Sequence, residues 1–208
     1  MKAPPAALVL VAFLIVAVPV AAAGVQIYGA SGPYGCASRL WAHDGPLKVR
    51  LFYEEASQAA AMEPRALAAY LTDRMGREVL VTGVQQADEA AFRAASAWRP
   101  FTDEALVFLM DAPLLAGIPG QPLALGVTPV DTACAYVAFQ PAAPTPCALA
   151  GDTYEIQQAF ATVAHELGHM VGLGHTSAGI MGHGAYRPCA ADTFSPAEQA
   201  RIAQWGSS

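Results

Sequence analysis

The sequence predicts a mixed α/β (α+β) fold, a small sheet with helices packed on it. Two observations carry this. Short apolar or β-branched runs at 46–53, 78–84, 105–110 and 133–139 are separated by helix-period segments at 63–76 and 87–98. From residue 152 onward the signals are helical. That order is not a regular βαβ repeat.

The first residues, "MKAPPAALVLVAFLIVAVPVAAAG", place one Lys before an apolar run from Ala6 to Val20 and then small residues. This pattern is expected of a cleaved secretory signal peptide over 1–23. An uncleaved membrane anchor is the alternative, although the run is short for a span of about 20 apolar residues and Pro19 interrupts it. Residues 24–208 are expected to form one domain, secreted and monomeric.

Composition excludes some partners. A formal charge of −6 with only 11 Lys and Arg argues against nucleic acid and against stable association with an anionic membrane. All four cysteines, Cys36, Cys134, Cys147 and Cys189, follow the leader, and no CxxC spacing marks a redox motif or zinc ribbon. An even count in an exported chain favours two disulfides, with three connectivities open. We expect Cys134–Cys147 as a local staple and Cys36–Cys189 tying the two ends together.

The elements follow in order. "PLKVRLFY" (46–53) reads as a strand. "EPRALAAYLTDRMG" (63–76) has Pro64 at a helix start and Gly76 past its end, with Leu67, Tyr70, Leu71 and Met75 on one face. "EVLVTGV" (78–84) and "ALVFLM" (105–110) are strands around a short helix, "ADEAAFRAASAW". "ACAYVAF" (133–139) is a fourth strand, followed by a Pro-rich loop (140–151). His43, in "LWAHDGP", reads as a surface turn residue.

The next helix starts at a capping-box-like pair, Asp152 and Glu155. Ile156, Phe160, Val163, Leu167 and Met170 then recur at steps of four and three, within about 80° of arc, as a single core stripe. His165 and His169 lie roughly opposite, four residues apart on one face. Gly172 tolerates positive φ and lets the chain turn, so that His175 swings back to the same point. In this reading Gly168 and Gly174 have no role beyond compactness.

Three neutral imidazoles around one point suit a borderline-soft cation, with a coordination position left open as in catalytic zinc. Glu166 is not needed as a ligand. Beside His165 it can take a proton from a water whose pKa the ion lowers to about 7, and pass it to a leaving amine. The chemistry is amide hydrolysis without a covalent intermediate.

"HELGHMVGLGH" (165–175) matches every fixed position of HExxHxxGxxH and so resembles the signature of the metzincin metalloproteases. The resemblance implies a small twisted, mostly parallel sheet, an active-site helix, a Met-turn and a C-terminal helix. Met181 in "SAGIMGHG" is similar to the Met-turn methionine, which acts as a hydrophobic floor. The short link to Met181 and the closing "FSPAEQARIAQWG" resemble the matrixin-type branch. In that closing segment Ser195, Pro196 and Glu198 form a capping box with Pro at the first position.

Other features depart from that branch. The only cysteine comparable with a propeptide switch is Cys36 in "PYGCASRLW", and its flanking residues do not match. Gly182-His183-Gly184-Ala185 lacks the Pro of many matrixins. His183 stands where other branches carry a Tyr near the metal, and it and Tyr186 are candidates for stabilising the oxyanion. Structural calcium is implied by family analogy only. The expectation is therefore a secreted zinc endopeptidase that lays an extended protein or peptide substrate along an edge strand at 133–139. The alternative is a catalytically silent zinc-binding module that holds a protein partner in the cleft.

Overall fold

The computed structural model describes residues 36, 39–41, 44–55, 62–97, 101–111, 126–129, 132–139, 154–177, 179–182 and 193–205. The leader (1–23), His43, the loop 140–151, Cys147, Asp152, His183, Tyr186 and Cys189 lie outside the described residues. Among the described residues no helix is long and apolar enough to cross a membrane.

The elements run β1 (Arg39–Leu40), β2 (Leu47–Tyr53), α1 (Pro64–Met75), β3 (Val79–Gln86), α2 (Glu89–Ala97), β4 (Phe101–Thr102), β5 (Glu104–Asp111), β6 (Gly126–Val127), β7 (Cys134–Phe139), α3 (Tyr154–Met170) and α4 (Pro196–Gln204). The main sheet has five strands in the order β3-β2-β5-β7-β6. Every neighbouring pair is parallel except β6–β7. The sheet is therefore mostly parallel, as the resemblance implied.

One expectation is corrected. The segment 133–139 is not at the edge: β7 pairs with β5 on one side and with β6 on the other. Among the described residues the edges are β3 and β6; the edge beside β7 is β6, antiparallel and two residues long, too short for a periodic signal in the sequence.

Period-2 alternation divides the buried side chains between the two faces of the sheet. Leu47, Val49 and Leu51 of β2, Ala105, Val107 and Leu109 of β5, and Ala135 and Val137 of β7 belong to one cluster. Leu67, Leu71 and Met75 of α1 and Phe160, Val163 and Leu167 of α3 belong to it as well. The intervening Phe52, Leu106, Phe108, Met110, Cys134 and Tyr136 point the other way and pack with Phe92 of α2. There the Phe92 ring stacks on Phe108 at 5.1 Å and meets Phe52 and Tyr136 edge-on.

The helix ends follow local chemistry. Glu63 accepts from the backbone N–H groups of Arg65 and Ala66 ahead of Pro64. At α4, Ser195 Oγ accepts from Glu198 N at 3.3 Å while Glu198 Oε2 accepts from Ser195 N at 2.7 Å, the reciprocal box expected there. Tyr70 of α1 rests on Phe160 of α3, with ring centroids 5.5 Å apart.

The disulfide pairing also differs from expectation. Cys36 bonds to Cys134, across a sequence separation of 98. Cys134 begins β7 on the face turned away from α3, and Cys36 is buried in that same cluster. The facing of strand residues decided the pairing, and nearness in sequence to Cys147 did not.

Candidate metal centre

From Ala159 onward helix α3 is buried on most sides. Ala159, Phe160, Val163, Ala164, Glu166, Leu167 and Gly168 are inside, whereas His165 and His169 are partly exposed on the remaining strip. The helix ends in a Schellman arrangement: Leu173 N donates to Gly168 O at 2.9 Å and Gly172 N to His169 O at 3.0 Å. Gly172 sits at φ 86°, the left-handed conformation its place in the sequence predicted. Leu173 turns into the core, which fixes the path that brings His175 back.

The three Nε2 atoms form a small triangle. His169 Nε2 lies 3.0 Å from those of His165 and His175, and the third edge is 3.2 Å. Two rings are held from behind: His165 Nδ1 donates to Ile180 O at 2.6 Å, and His169 Nδ1 to Leu173 O at 2.9 Å. A carbonyl oxygen can only accept, so Nδ1 carries the proton of each neutral ring and Nε2 a lone pair. The 3.0 Å approach of His165 to His169 is then lone pair against lone pair, which a cation among the nitrogens stabilises. Edges of this size suit zinc–nitrogen bonds of about 2.0–2.1 Å, and the backing carbonyls are the partners that metal-bound histidines usually have. The residues fit a zinc ion.

The floor is Met181. It is fully buried, in a turn closed by Gly182 N to Gly179 O (3.0 Å) and by Thr176 N to Met181 O (2.8 Å). A side chain on Gly168 would collide with Met181 Sδ and would stand 3.2 Å from Phe194 Cε1. Gly168 thus has a role beyond compactness, since its bare backbone lets the methionine pass beneath the helix.

Glu166 is 3% exposed. Its carboxylate faces the edge strand: Thr128 Oγ1 donates to Oε2 at 2.6 Å, and a Cβ on Gly126 would come within 2.8 Å of Glu166 Cγ and Cδ. In the metal-free chain burial pushes the Glu166 carboxyl up to about 8, against a smaller downward pull from the Thr128 hydroxyl; a cation bound by the neighbouring histidines would pull it down again, toward the ionised form that a base needs.

The structure therefore brings together His165, His169 and His175, with Glu166 beside them on the helix and Met181 beneath. His183 and Tyr186 fall outside the described residues. Cys36 is held in its disulfide on the opposite face of the sheet and is not a zinc thiolate. Sequence reasoning missed Gly126 and Thr128. The only signal for them is that "GVT", β6 and the residue after it, lies beside Glu166, a fact of tertiary pairing.

No protein-family model matches the sequence, and no curated protein matches it. Solved structures are similar to it, two of them as follows. Archaemetzincin from Methanopyrus kandleri superimposes with a TM-score of 0.51 at 17% identity, over 76% of this chain and 93% of that one. A zinc-dependent peptidase from Methanocorpusculum labreanum gives a TM-score of 0.47 at 15% identity, over 74% and 99%. The five-stranded, mostly parallel sheet with four helices is an archaemetzincin-like zincin fold.

Proposed function

We propose that the protein is a zinc-dependent endopeptidase. The observation that carries this reading is the triangle of Nε2 atoms, two of them aimed by backbone carbonyls, with a carboxylate on the residue after His165. When bound, zinc supplies a Lewis acid that polarises a carbonyl and lowers the pKa of a water in its open position to about 7. His165, His169 and His175 hold it through Nε2. Glu166 takes a proton from the attacking water and delivers it to the nitrogen of the breaking C–N bond, leaving a carboxylic acid and an amine. Burial against β6 keeps solvent off Glu166 between the two transfers.

The substrate is an extended protein or peptide, with β6, an edge strand among the described residues, as the place for main-chain pairing. Within the clan, the six-residue link from His175 to Met181 favours the matrixin-type branch. Export through the leader is part of the proposal. It is supported by the pattern of residues 1–23 and by the Cys36–Cys134 bond, which suits an oxidising compartment.

A quenched-peptide library incubated with the mature protein, alongside metal analysis, tests the reading. Cleavage should follow zinc content, stop with chelator and be lost in Glu166→Ala. Activity surviving either control rejects the mechanism, and zinc binding without cleavage returns the alternative of a silent module. Intact mass of protein recovered from the medium tests removal of residues 1–23.

A further inference from the structure

Helix α3 places Glu166 next to His165, but the helix alone does not fix the carboxylate, which ends three rotatable bonds from the backbone. The edge strand restricts it. Gly126 and Thr128 are two residues apart, so they lie on one face of the extended chain, and Val127 lies on the other. Val127 is buried in the cluster behind the sheet with Phe108 and Tyr136, which anchors this short segment. β6 is further held by pairing Gly126 with Val137 and Val127 with Tyr136.

On the side facing α3, two features act on Glu166 together. The bare Cα of Gly126 leaves a hollow that the Glu166 carboxylate occupies, and any Cβ there would overlap Oε1 first and then Cγ and Cδ at 2.8 Å. Thr128 Oγ1 lies 2.6 Å from Glu166 Oε2 and 3.3 Å from the Glu166 backbone oxygen. A hydroxyl has one proton to donate, and the carboxylate oxygen is the nearer acceptor.

We propose that Gly126 and Thr128 are positioning residues that hold the Glu166 carboxylate in its working orientation, Gly126 by leaving the hollow and Thr128 by its hydroxyl. This rests on the reading of Glu166 as the proton carrier. A hydrogen bond to Oε2 restrains the rotation of the group, and the Gly126 hollow receives Oε1, the atom nearest to where a Cβ would stand. The two residues contribute nothing to holding zinc, so their effect is on the rate of bond cleavage and not on metal content.

The test uses the mature, zinc-loaded protein and a quenched peptide that it cleaves. Thr128→Val keeps the shape and removes the hydroxyl, Thr128→Ser keeps the hydroxyl, and Gly126→Ala fills the hollow. Thr128→Val should lower kcat by about ten- to a hundred-fold with KM within about twofold. Thr128→Ser should recover kcat to within about threefold of wild type. Zinc per chain should be equal in all. Crystal structures of wild type and Thr128→Val should show the Glu166 carboxylate displaced or split between orientations in the variant. Gly126→Ala should move it further, and Thr128→Val decides the matter if Gly126→Ala does not fold.

Wild-type kcat in Thr128→Val overturns the proposal. So does a Thr128→Ser as slow as Thr128→Val, or an unmoved carboxylate. These outcomes separate from a failure of the functional reading. If wild type binds zinc and cuts nothing, or Glu166→Gln cuts as well as wild type, that reading fails and takes this proposal with it. If Glu166→Gln is silent while Thr128→Val is fully active, positioning alone fails.

Discussion

Met181 Sδ lies directly beneath Gly168, so close that a Cβ at that position of the helix requires the methionine to shift. The two residues are neighbours because α3 ends at Met170 and the chain doubles back beneath it. The same turn offers the Ile180 carbonyl to His165 Nδ1.

Gly168→Ala should therefore force the turn away from α3. Overpacking of this kind costs about 1–3 kcal/mol. Urea unfolding should show that loss, and competition with a zinc chelator should show weaker metal binding, because the Ile180 carbonyl moves with Met181. Unchanged zinc affinity in a destabilised Gly168→Ala would separate the floor from the site.

Metal and stability are linked through the three imidazoles. Zinc at a hundred times its Kd should stabilise the folded chain by about 2.7 kcal/mol. Calorimetry with and without chelator reads this as a shift in Tm. His175→Ala should lose the shift, since His175 closes two of the three triangle edges. A Tm insensitive to zinc in wild type would contradict the assignment of the ligands.

The buried Glu166 gives the metal-free protein a distinctive pH dependence. Its folded-state value of about 8 lies above the 4.5 of an ordinary carboxyl. Between those values the folded protein holds a proton that the unfolded chain has released, so stability falls as pH rises through that window. The slope from one group is at most ~1.4 kcal/mol per pH unit. Glu166→Gln has no such proton to release. Urea titrations of the two metal-free proteins should therefore diverge as pH rises, the variant keeping more of its stability. Parallel curves would count against burial of the carboxylate.

Removing the Cys36–Cys134 bond should cost stability and spare the chemistry. A closed loop of about a hundred residues is worth up to ~4.7 kcal/mol in the chain-entropy account, and native bonds commonly deliver about 2–5 kcal/mol. A Cys36→Ala/Cys134→Ala double variant should unfold at lower urea yet bind the same zinc per chain at temperatures where it is folded. Loss of zinc binding in the folded double variant would show that the two faces of the sheet are not independent.

What was legible in the sequence was what neighbours along the chain determine. The core stripe through Phe160, Val163 and Leu167, the i, i+4 histidines and the Gly172 turn depend on helical period and local backbone freedom. They predicted where His165, His169 and His175 would meet. The α1 and α4 boundaries were readable because Pro64, Gly76, Ser195 and Glu198 act within one turn of the helix ends. The partners of Glu166 were not readable. Gly126 and Thr128 lie some forty residues upstream, in and just after a strand too short to announce itself. The disulfide was misread for a related reason. Which face Cys134 occupies depends on the register of β7 against β5, and local spacing to Cys147 says nothing about that. The edge was misplaced because pairing order is a property of the whole sheet.

The division of the sheet into two faces offers a protein engineer two separate workbenches. The aromatic cluster around Phe92, Phe108 and Tyr136 lies with the disulfide behind the strands, and the histidines lie with α3 in front. Substitutions meant to harden the molecule against heat or solvent belong at the back, where they can be screened without retuning the chemistry. Substitutions meant to change what is cut belong at the front. Val127 is the exception, because it roots in the back cluster between two residues that touch Glu166. A library that varied it in search of stability would alter turnover as well.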